Sequence, residues 1–330
     1  YYHGDASDKV VPPSVVTKDK EACPRFMSVR MDGVQVTESP KWLKDRLQSI
    51  GQKSINSVVD ITNYVQFCLN KPMHAYDAEN IAGNTLVARY AKRGEKLTTL
   101  DDKELKLDNE TLVIADADKP VGLAGIKGGK FSGISDTTTS IILESANFHP
   151  TLIRKTAQKY GIRTDASKRF ENEISDTLVE EGLRMTISLV QKLNPKAVVS
   201  EVVDVWNRAE DEITLTITPR EVNGLLGTSY SAQEIEGVFV RLGFGVTLDG
   251  EVFKVRVPHE RLDVRIKEDL IEEVARVQGL STIKGVLPHL GRIGLPHKRL
   301  YYETKIKNIL YEHGFSEIMT YSFGDEGEVE

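Results

Sequence analysis

Apolar positions along this chain fall into two rhythms: a period of two in short runs rich in Val, Ile, Leu and Phe, and a period of about 3.6 in longer ones. The changes of rhythm predict the elements. Residues 1–22 (YYHGDASDKVVPPSVVTKDKEA) follow neither, carry Pro12 and Pro13, and read as a linker or remnant with little packing. FMSVRM (26–31) predicts a strand, Asp32-Gly33 a two-residue hairpin turn, and VQVT (34–37) the returning strand. Ser39 is placed to cap a helix with Pro40 at its first position. Trp42, Leu43, Leu47 and Ile50 form its apolar stripe and Gly51 lies just past its end. Between 85 and 143, TLVARYA, KLTTL, TLVIAD and TSIILES alternate with Asp, Gly and Lys turns, which predicts a sheet. Pro150 opens a helix that runs to Tyr160 and closes at Gly161. Ser175 or Asp176 opens another, with Val179, Leu183, Thr186, Ile187, Val190 and Leu193 on one face.

A second unit starts near Asp211 with the strand ITLTI. Thr218-Pro219 with Glu221, and Ser231 with Glu234, are two capping boxes that start helices. Gly243, a hairpin at Asp249-Gly250, the strand FKVRVP and the acidic helix IKEDLIEEVARVQG complete a small α+β module ending near Gly285. From Pro296 a helix (298–313), Gly314 and a strand (FSEIMTYSF) follow, too little to bury a core alone and so read as the truncated start of a larger domain. The fold class is therefore α+β, multidomain.

At 330 residues the chain is long enough for two or three domains. A net charge of −6 argues against a surface given over entirely to nucleic acid, while leaving room for a local basic face. Cys23 and Cys68 are far apart with no CxxC or histidine cluster, which disfavours a disulfide scaffold and a zinc site and points to a reducing, cytoplasmic setting. No run of about 18 apolar residues and no signal-peptide order occur, so no membrane association is expected.

Three stretches converge on one expected pocket: SINSVVDITNYVQFCLNKPMHAYD (54–77), LAGIKGG (123–129) and LESA (143–146). Generic catalytic templates do not fit them. In GIKGGKFSG, Gly129-Lys130 is followed by Phe131, and Ala124 stands where a phosphate-cradling loop needs its first glycine. HExxH and GxSxG are both missing, so zinc hydrolysis and an esterase-type triad lack their parts. What remains is a polar constellation of Thr62, Asn63, His74, the 125–129 turn, Glu144 and Asp165. His74 reads either as a structural histidine bonded to Asp77 or as a site residue. A carboxylate at the end of the apolar IIL run is half buried at least, which is costly unless something donates to it. The glycines read as a tight turn or as a backbone surface that a ligand can approach. Arg154, Lys155, Lys159, Arg163, Lys168 and Arg169 against Asp165 form either a solvated helix face or a phosphate track.

The ordered runs NSVVDITNYV, KPMHAYD, TLVIAD, LAGIKGG, LESANFHP and TDASKRFE resemble the editing domain of bacterial-type phenylalanyl-tRNA synthetase β subunits. VPHERLDVRIKEDLIEEVARVQG resembles the small domain that follows it there, and LYYETKIKNILYEHGFSEIMTYSF the start of the catalytically inactive synthetase-like domain. The resemblance implies a linker or remnant at 1–22, a mixed-sheet editing domain at 23–208, a winged-helix-like α+β module at 209–285 and a truncated class II synthetase-like segment at 286–330. It also implies hydrolysis of Tyr-tRNAPhe. Glu144 would accept the tyrosine phenol, His74 with Thr62 and Asn63 would orient substrate or water, and the amides of Gly128 and Gly129 would hold the oxyanion. Ala166 would line the ring pocket and Lys53 would lie near the tRNA end. No metal or cofactor is implied for editing, whereas ATP and Mg2+ serve ligation by the whole enzyme. The implied partners are tRNAPhe and the α subunit, in a heterotetramer.

An apolar synthetic site rejects one added hydroxyl by only about 10²-fold. A second sieve with the opposite preference is therefore needed. Phenylalanine would leave Glu144 unpaired, at a cost on the order of 1 to 3 kcal/mol. Three positions depart from the family pattern: Lys127 between the glycines, Tyr76 in place of the commoner Phe, and Lys168-Arg169-Phe170-Glu171-Asn172 without the RFERG ending. Two other readings stay open, a non-catalytic tRNA-binding or assembly fragment that needs the α subunit, and nucleic-acid binding through the small module. The acidic residues Glu268, Asp269, Glu272 and Glu273 oppose the latter.

Overall fold

The strand at residues 25–32 is paired on both edges, and its alternation sends Met27, Val29 and Met31 to one buried face and Phe26 and Ser28 to the other. This strand, β2 (Arg25–Asp32), is the axis of a five-stranded sheet. The computed structural model describes residues 6–7, 9–207, 212–287, 291, 294–324 and 327. With elements labelled in chain order, β10 (Ser140–Ala146) lies antiparallel to β2 on one edge. β11 (Val198–Val199) and β12 (Val203–Trp206) share the other, and β3 (His74–Asp77) pairs with β10. A second sheet runs β1 (Ser14–Thr17), β4 (Thr85–Tyr90), β7 (Leu112–Ala115), β8 (Pro120–Leu123) and β9 (Lys127–Gly128). β5 (Lys96–Thr98) and β6 (Glu104–Lys106) form a short ribbon.

Two local expectations give way to long-range pairing. Within the expected linker at 1–22, residues 10–22 are packed: β1 adds to β4 in parallel and Val10 and Ala22 are buried, while residues 1–5 and 8 lie outside the described residues. An unpaired edge on β4 is a stronger local demand than the weak pattern of SVVT reveals. The Asp32-Gly33 hairpin does not form: both edges of β2 are taken by β10, β11 and β12, and Val34 N–H donates to Thr139 at 2.9 Å.

Helix α1 (Lys41–Ser49) starts from Pro40 with no side-chain cap, because the Ser39 hydroxyl turns instead to Asp60 at 2.6 Å. Asn56 caps α2 (Ser57–Leu69), accepting from Val59 N–H at 2.9 Å. α3 (Pro150–Tyr160) ends at Gly161 in the left-handed region, φ +62°, and α4 (Asp165–Phe170) opens with a Thr164/Ser167 capping box. α5 (Leu178–Leu193) buries Val179, Leu183, Thr186, Ile187 and Val190, as its 3.6 rhythm requires.

Strand parity splits β10 between two cores. Ile141 and Leu143 join Val29, Met31, Leu43, Val58, Ile61 and Leu183 beneath the helices. Ile142 and Ala146 join Phe26, Tyr76, Leu86, Val113, Phe148 and Phe170 between the sheets. Glu144 shares the parity of Ile142, so an acid is carried into the apolar layer between the sheets.

The small module has sheet order β13 (Thr214–Ile217), β15 (Val252–Arg256), β14 (Gly245–Asp249), all antiparallel. α6 (Pro219–Leu226) and α7 (Ala232–Arg241) carry the two expected capping boxes. With α8 (Lys267–Gln278) they cover a core that includes Ile235, Phe239, Phe253, Val255 and Val274. Asp211 and the division at 208–209 fall outside the described residues. Residues 1–280 form one compact unit and 281–330 another. In the latter, α9 (Lys298–Glu312) has no buried residue, and residues 315–323 carry no strand. A strand needs a partner's backbone groups, and its own unit supplies none to the described residues there.

Asp60 is fully buried and accepts from Ser39 Oγ (2.6 Å), Ser54 Oγ (2.5 Å) and Ile55 N–H (2.8 Å), pinning the entry to α2. Asp60→Ala removes the acceptor of three donors, of which the Ser39 hydroxyl is buried. It should lower unfolding free energy by about 2 to 4 kcal/mol, read from urea midpoints.

Candidate functional site

Where β3 and β10 face β8 and β9, the layer between the sheets opens into a cavity of about 290 Å³. Its wall includes Asn63 and Gln66 of α2, His74 and Tyr76 of β3, Gly128 of β9, Glu144 of β10 and Ala166 of α4. Register explains the convergence. Glu144 stands opposite His74 and Ile142 opposite Tyr76, which puts His74, Tyr76 and Glu144 on one face of a ladder. The Gly125 turn, at φ +65°, brings β9 back beside β8, and Thr164 Oγ1 donates to the Ile126 carbonyl at 2.9 Å, fastening α4 to the same turn.

Glu144 is only 6% exposed and its Oε2 accepts the Tyr76 hydroxyl at 2.5 Å. Burial pushes its carboxyl up to about 7, against the opposing pull of the Tyr76 hydroxyl and the Lys71 charge. Lys71 is fully buried behind the wall, donates to the Ala146 carbonyl, and sits 5.0 Å from the Phe170 ring centroid. Burial brings its ammonium down to about 7, with Asp176, Cys23 and Glu144 pulling the other way. Gly182 of α5 makes the room: a Cβ there would lie 2.9 Å from Lys71 Cγ.

His74 does not bond Asp77, whose carboxylate instead accepts from Thr138 Oγ1 at 2.6 Å and from Glu79 N–H at 3.1 Å. The imidazole meets the Tyr76 ring edge to face at 4.5 Å and lies against Gly128, where a Cβ would come within 2.5 Å of its Cε1. Its Nε2 is buried without a hydrogen-bond partner, and desolvation brings the ring down to about 4, so it is neutral at physiological pH. A neutral imidazole with an unpaired nitrogen can accept from, or donate to, a group entering the cavity.

The two glycines differ. Gly129 N–H donates to Val121 at 2.7 Å, so it is spent on the sheet. That bond makes 121–129 a hydrogen-bonded pair, and the alternation of an antiparallel ladder then turns the Gly128 N–H to the opposite edge of β9. Thr62, Lys53 and Gly129 do not line the cavity. The Thr62 hydroxyl donates back to Val59 at 2.7 Å within its helix, and Lys53 is exposed. Asp165 lines the cavity and accepts from Gln52 Nε2 at 3.3 Å. Lys127 reaches Asp101 at 2.7 Å, which holds that carboxyl down at about 2.

The basic run is more neutral than its sequence suggests. Lys159 pairs with Asp108, Arg163 with Glu171 (2.9 Å), and Lys168 and Arg169 with Asp165 (3.7 and 3.9 Å); Arg154 and Lys155 are exposed. Sequence reasoning passed over Gln66, which sits one turn from Asn63 and was legible from that spacing. It also passed over Lys71, for which no local pattern gave a signal. Among the described residues no group of three or more His, Cys, Asp or Glu could hold a metal, and no helix is long and apolar enough to cross a membrane.

The B3/4 domain family matches residues 22–195, and the tRNA synthetase B5 domain family matches residues 215–280. Several curated relatives bear the name phenylalanine–tRNA ligase beta subunit. That of Lactococcus lactis is 37% identical over 318 residues, covering 96% of this chain and 40% of the relative. That of Geobacter metallireducens is 38% identical over 331 residues, covering 98% and 41%. That of Protochlamydia amoebophila is 39% identical over 303 residues, covering 91% and 38%. The chain thus spans about two fifths of the length of these relatives. A solved N-terminal fragment of the phenylalanyl-tRNA synthetase β-subunit from Pyrococcus horikoshii is 11% identical, with a TM-score of 0.39, covering 83% of this chain and 76% of that one.

Glu144 and His74 give opposite contributions to the pH dependence of stability. Between about 4.5 and about 7 the folded Glu144 carboxyl keeps a proton that the unfolded chain has released, so this group lowers stability as pH rises. His74, at about 4 when folded against 6.5 unfolded, raises stability over the lower part of that window. Glu144→Gln removes the first contribution. Its stability relative to the unmodified chain should therefore increase from pH 5 to pH 7.5 in thermal melts.

Proposed function

The chain belongs to the phenylalanine–tRNA ligase β-subunit family, and from that premise we propose that its cavity hydrolyses the ester of tyrosine misattached to tRNAPhe. The supporting observation is Glu144: a buried carboxylate in the wall of a cavity whose apolar lining includes Ile114, Leu123, Phe148 and Phe170. The tyrosine ring lies among the apolar residues and its phenol meets the carboxylate. A phenylalanine ring fills the same space without offering a donor, and a sieve that rewards the hydroxyl follows.

The chemistry is attack of water on the ester carbonyl, with the terminal ribose hydroxyl leaving. His74, neutral and with a free Nε2, orients the water, takes up its proton as it attacks, and passes that proton to the ribose oxygen as the ester C–O bond breaks. The Gly128 N–H, off the β8 edge, is the oxyanion donor, and Gly129 is withdrawn from that role because its amide is bonded to Val121. Asn63 and Ala166 position the aminoacyl group. Thr62 acts from behind through α2, and Lys53 reaches the tRNA backbone from the surface. Residues 23–208 form the editing domain in this scheme, 209–285 a winged-helix-like module and 286–330 the start of a synthetase-like domain. The α subunit in a heterotetramer completes the ligase, which uses ATP and Mg2+ in the cytoplasm.

A second reading, an assembly fragment that acts only with the α subunit, is favoured by the exposed apolar side chains of α9, among them Leu300, Ile306, Ile309 and Leu310. One assay separates the two: deacylation of Tyr-tRNAPhe by this chain alone. Hydrolysis is expected, with His74→Ala slower by about 10²-fold. Glu144→Ala should lose most of the preference for tyrosyl over phenylalanyl esters. Activity appearing only on addition of the α subunit supports assembly, and an unchanged preference in Glu144→Ala removes that residue from recognition.

A further inference from the structure

On the premise that Glu144 reads the substrate phenol, we propose that Tyr76 is a resident phenol on the same carboxylate and sets how sharply the site separates tyrosyl from phenylalanyl groups. Tyr76 and Glu144 are diagonal neighbours on the β3–β10 ladder, where Tyr76 pairs with Ile142 and His74 with Glu144. The Tyr76 hydroxyl donates to Oε2 at 2.5 Å, and both side chains line the cavity. The ring is only 2% exposed and is braced by His74 at a centroid distance of 4.5 Å. Tyr76 therefore presents to Glu144 the same functional group that a tyrosyl substrate would bring.

Two consequences follow for recognition. With a phenylalanyl group in the cavity, Glu144 still has a donor, so the penalty for an unsatisfied buried acceptor is largely lifted. With a tyrosyl group, the substrate phenol meets the second carboxylate oxygen while Tyr76 keeps Oε2. Its gain is smaller than at a bare carboxylate, because the group it joins is already partly satisfied. Tyr76 thus softens discrimination on both sides while holding the carboxylate in one orientation. Its hydroxyl favours the ionised carboxyl, the acceptor-only form in which the second oxygen is open to a substrate phenol. Tyr76 is a positioning residue: it acts on selectivity through Glu144 and takes no part in bond breaking.

The test is binding to the full chain of two non-hydrolysable probes, adenosine carrying tyrosine or phenylalanine through a 3′-amide. Affinities are measured by titration calorimetry at pH 8.5, so that the carboxyl is ionised. Four proteins are compared: unmodified, Tyr76→Phe, Glu144→Ala and the double variant. Tyr76→Phe should raise the preference for the tyrosyl probe by about tenfold, chiefly by weakening the phenylalanyl probe. In the Glu144→Ala background the same change should leave the preference where it is. A purely structural role for Tyr76 would shift both probes together, and that result, or an unmoved preference in Tyr76→Phe, overturns the inference while leaving the role of Glu144 intact. A preference untouched by Glu144→Ala, or no binding of either probe to the unmodified chain, overturns the reading of the carboxylate itself and this inference with it.

Discussion

A carboxylate held between two sheets is the constraint around which this chain is organised. Burying Glu144 is unfavourable unless donors and a countercharge accompany it, and the fold supplies both from elements far apart in sequence. The Tyr76 hydroxyl comes from β3, on the ladder that also carries His74. The Lys71 ammonium comes from the segment between α2 and β3, with space for it granted by Gly182 of α5. Remove either companion and the acid keeps only the other in an apolar layer. The placement of α2, α5 and β3 around β10 therefore serves a charge as much as a core.

Much of this was legible one residue at a time. The IIL run ahead of Glu144 announced a buried acid, because parity on a strand covered on both faces leaves no solvent-facing position. Helix rhythms and caps around Thr218, Ser231 and Gly161 are local chemistry, and they formed where their residues stand. What was not legible depends on partners distant in sequence. Asp32-Gly33 has hairpin composition, yet β10, β11 and β12 occupy the edges a hairpin would need. The Ser39 hydroxyl has the chemistry of a cap, yet Pro40 holds the cap position and Ser39 is drawn to the fully buried Asp60. For the site, spacing singled out the glycines and could not show that one amide is committed to Val121 while its neighbour's points away. Tyr76 read as a simple deviation from Phe, because a pairing across two strands leaves no trace in either.

Charge tells a similar story at the surface. A run of six cations between 153 and 169 suggested a continuous track for phosphates, whereas four of them meet carboxylates in the folded chain. A strongly basic segment in an acidic protein is as readily an anchor for its own fold as a landing strip for a polyanion. Arg154 and Lys155 are exposed on α3, and Lys159, Arg163 and Lys168 stay exposed to solvent while they pair with carboxylates.

Gly182 sits on a helix whose far face has nothing to do with ligand recognition, yet the absence of its side chain is what lets an ammonium lie beneath the cavity floor. Tuning of the pocket therefore has a rear entrance. A single methyl group added on α5 would press on the lysine stem and alter the field felt by the acid, with every lining residue unchanged. Divergence between relatives at such a backstage position can retune selectivity while an inspection of the pocket walls alone reports them identical.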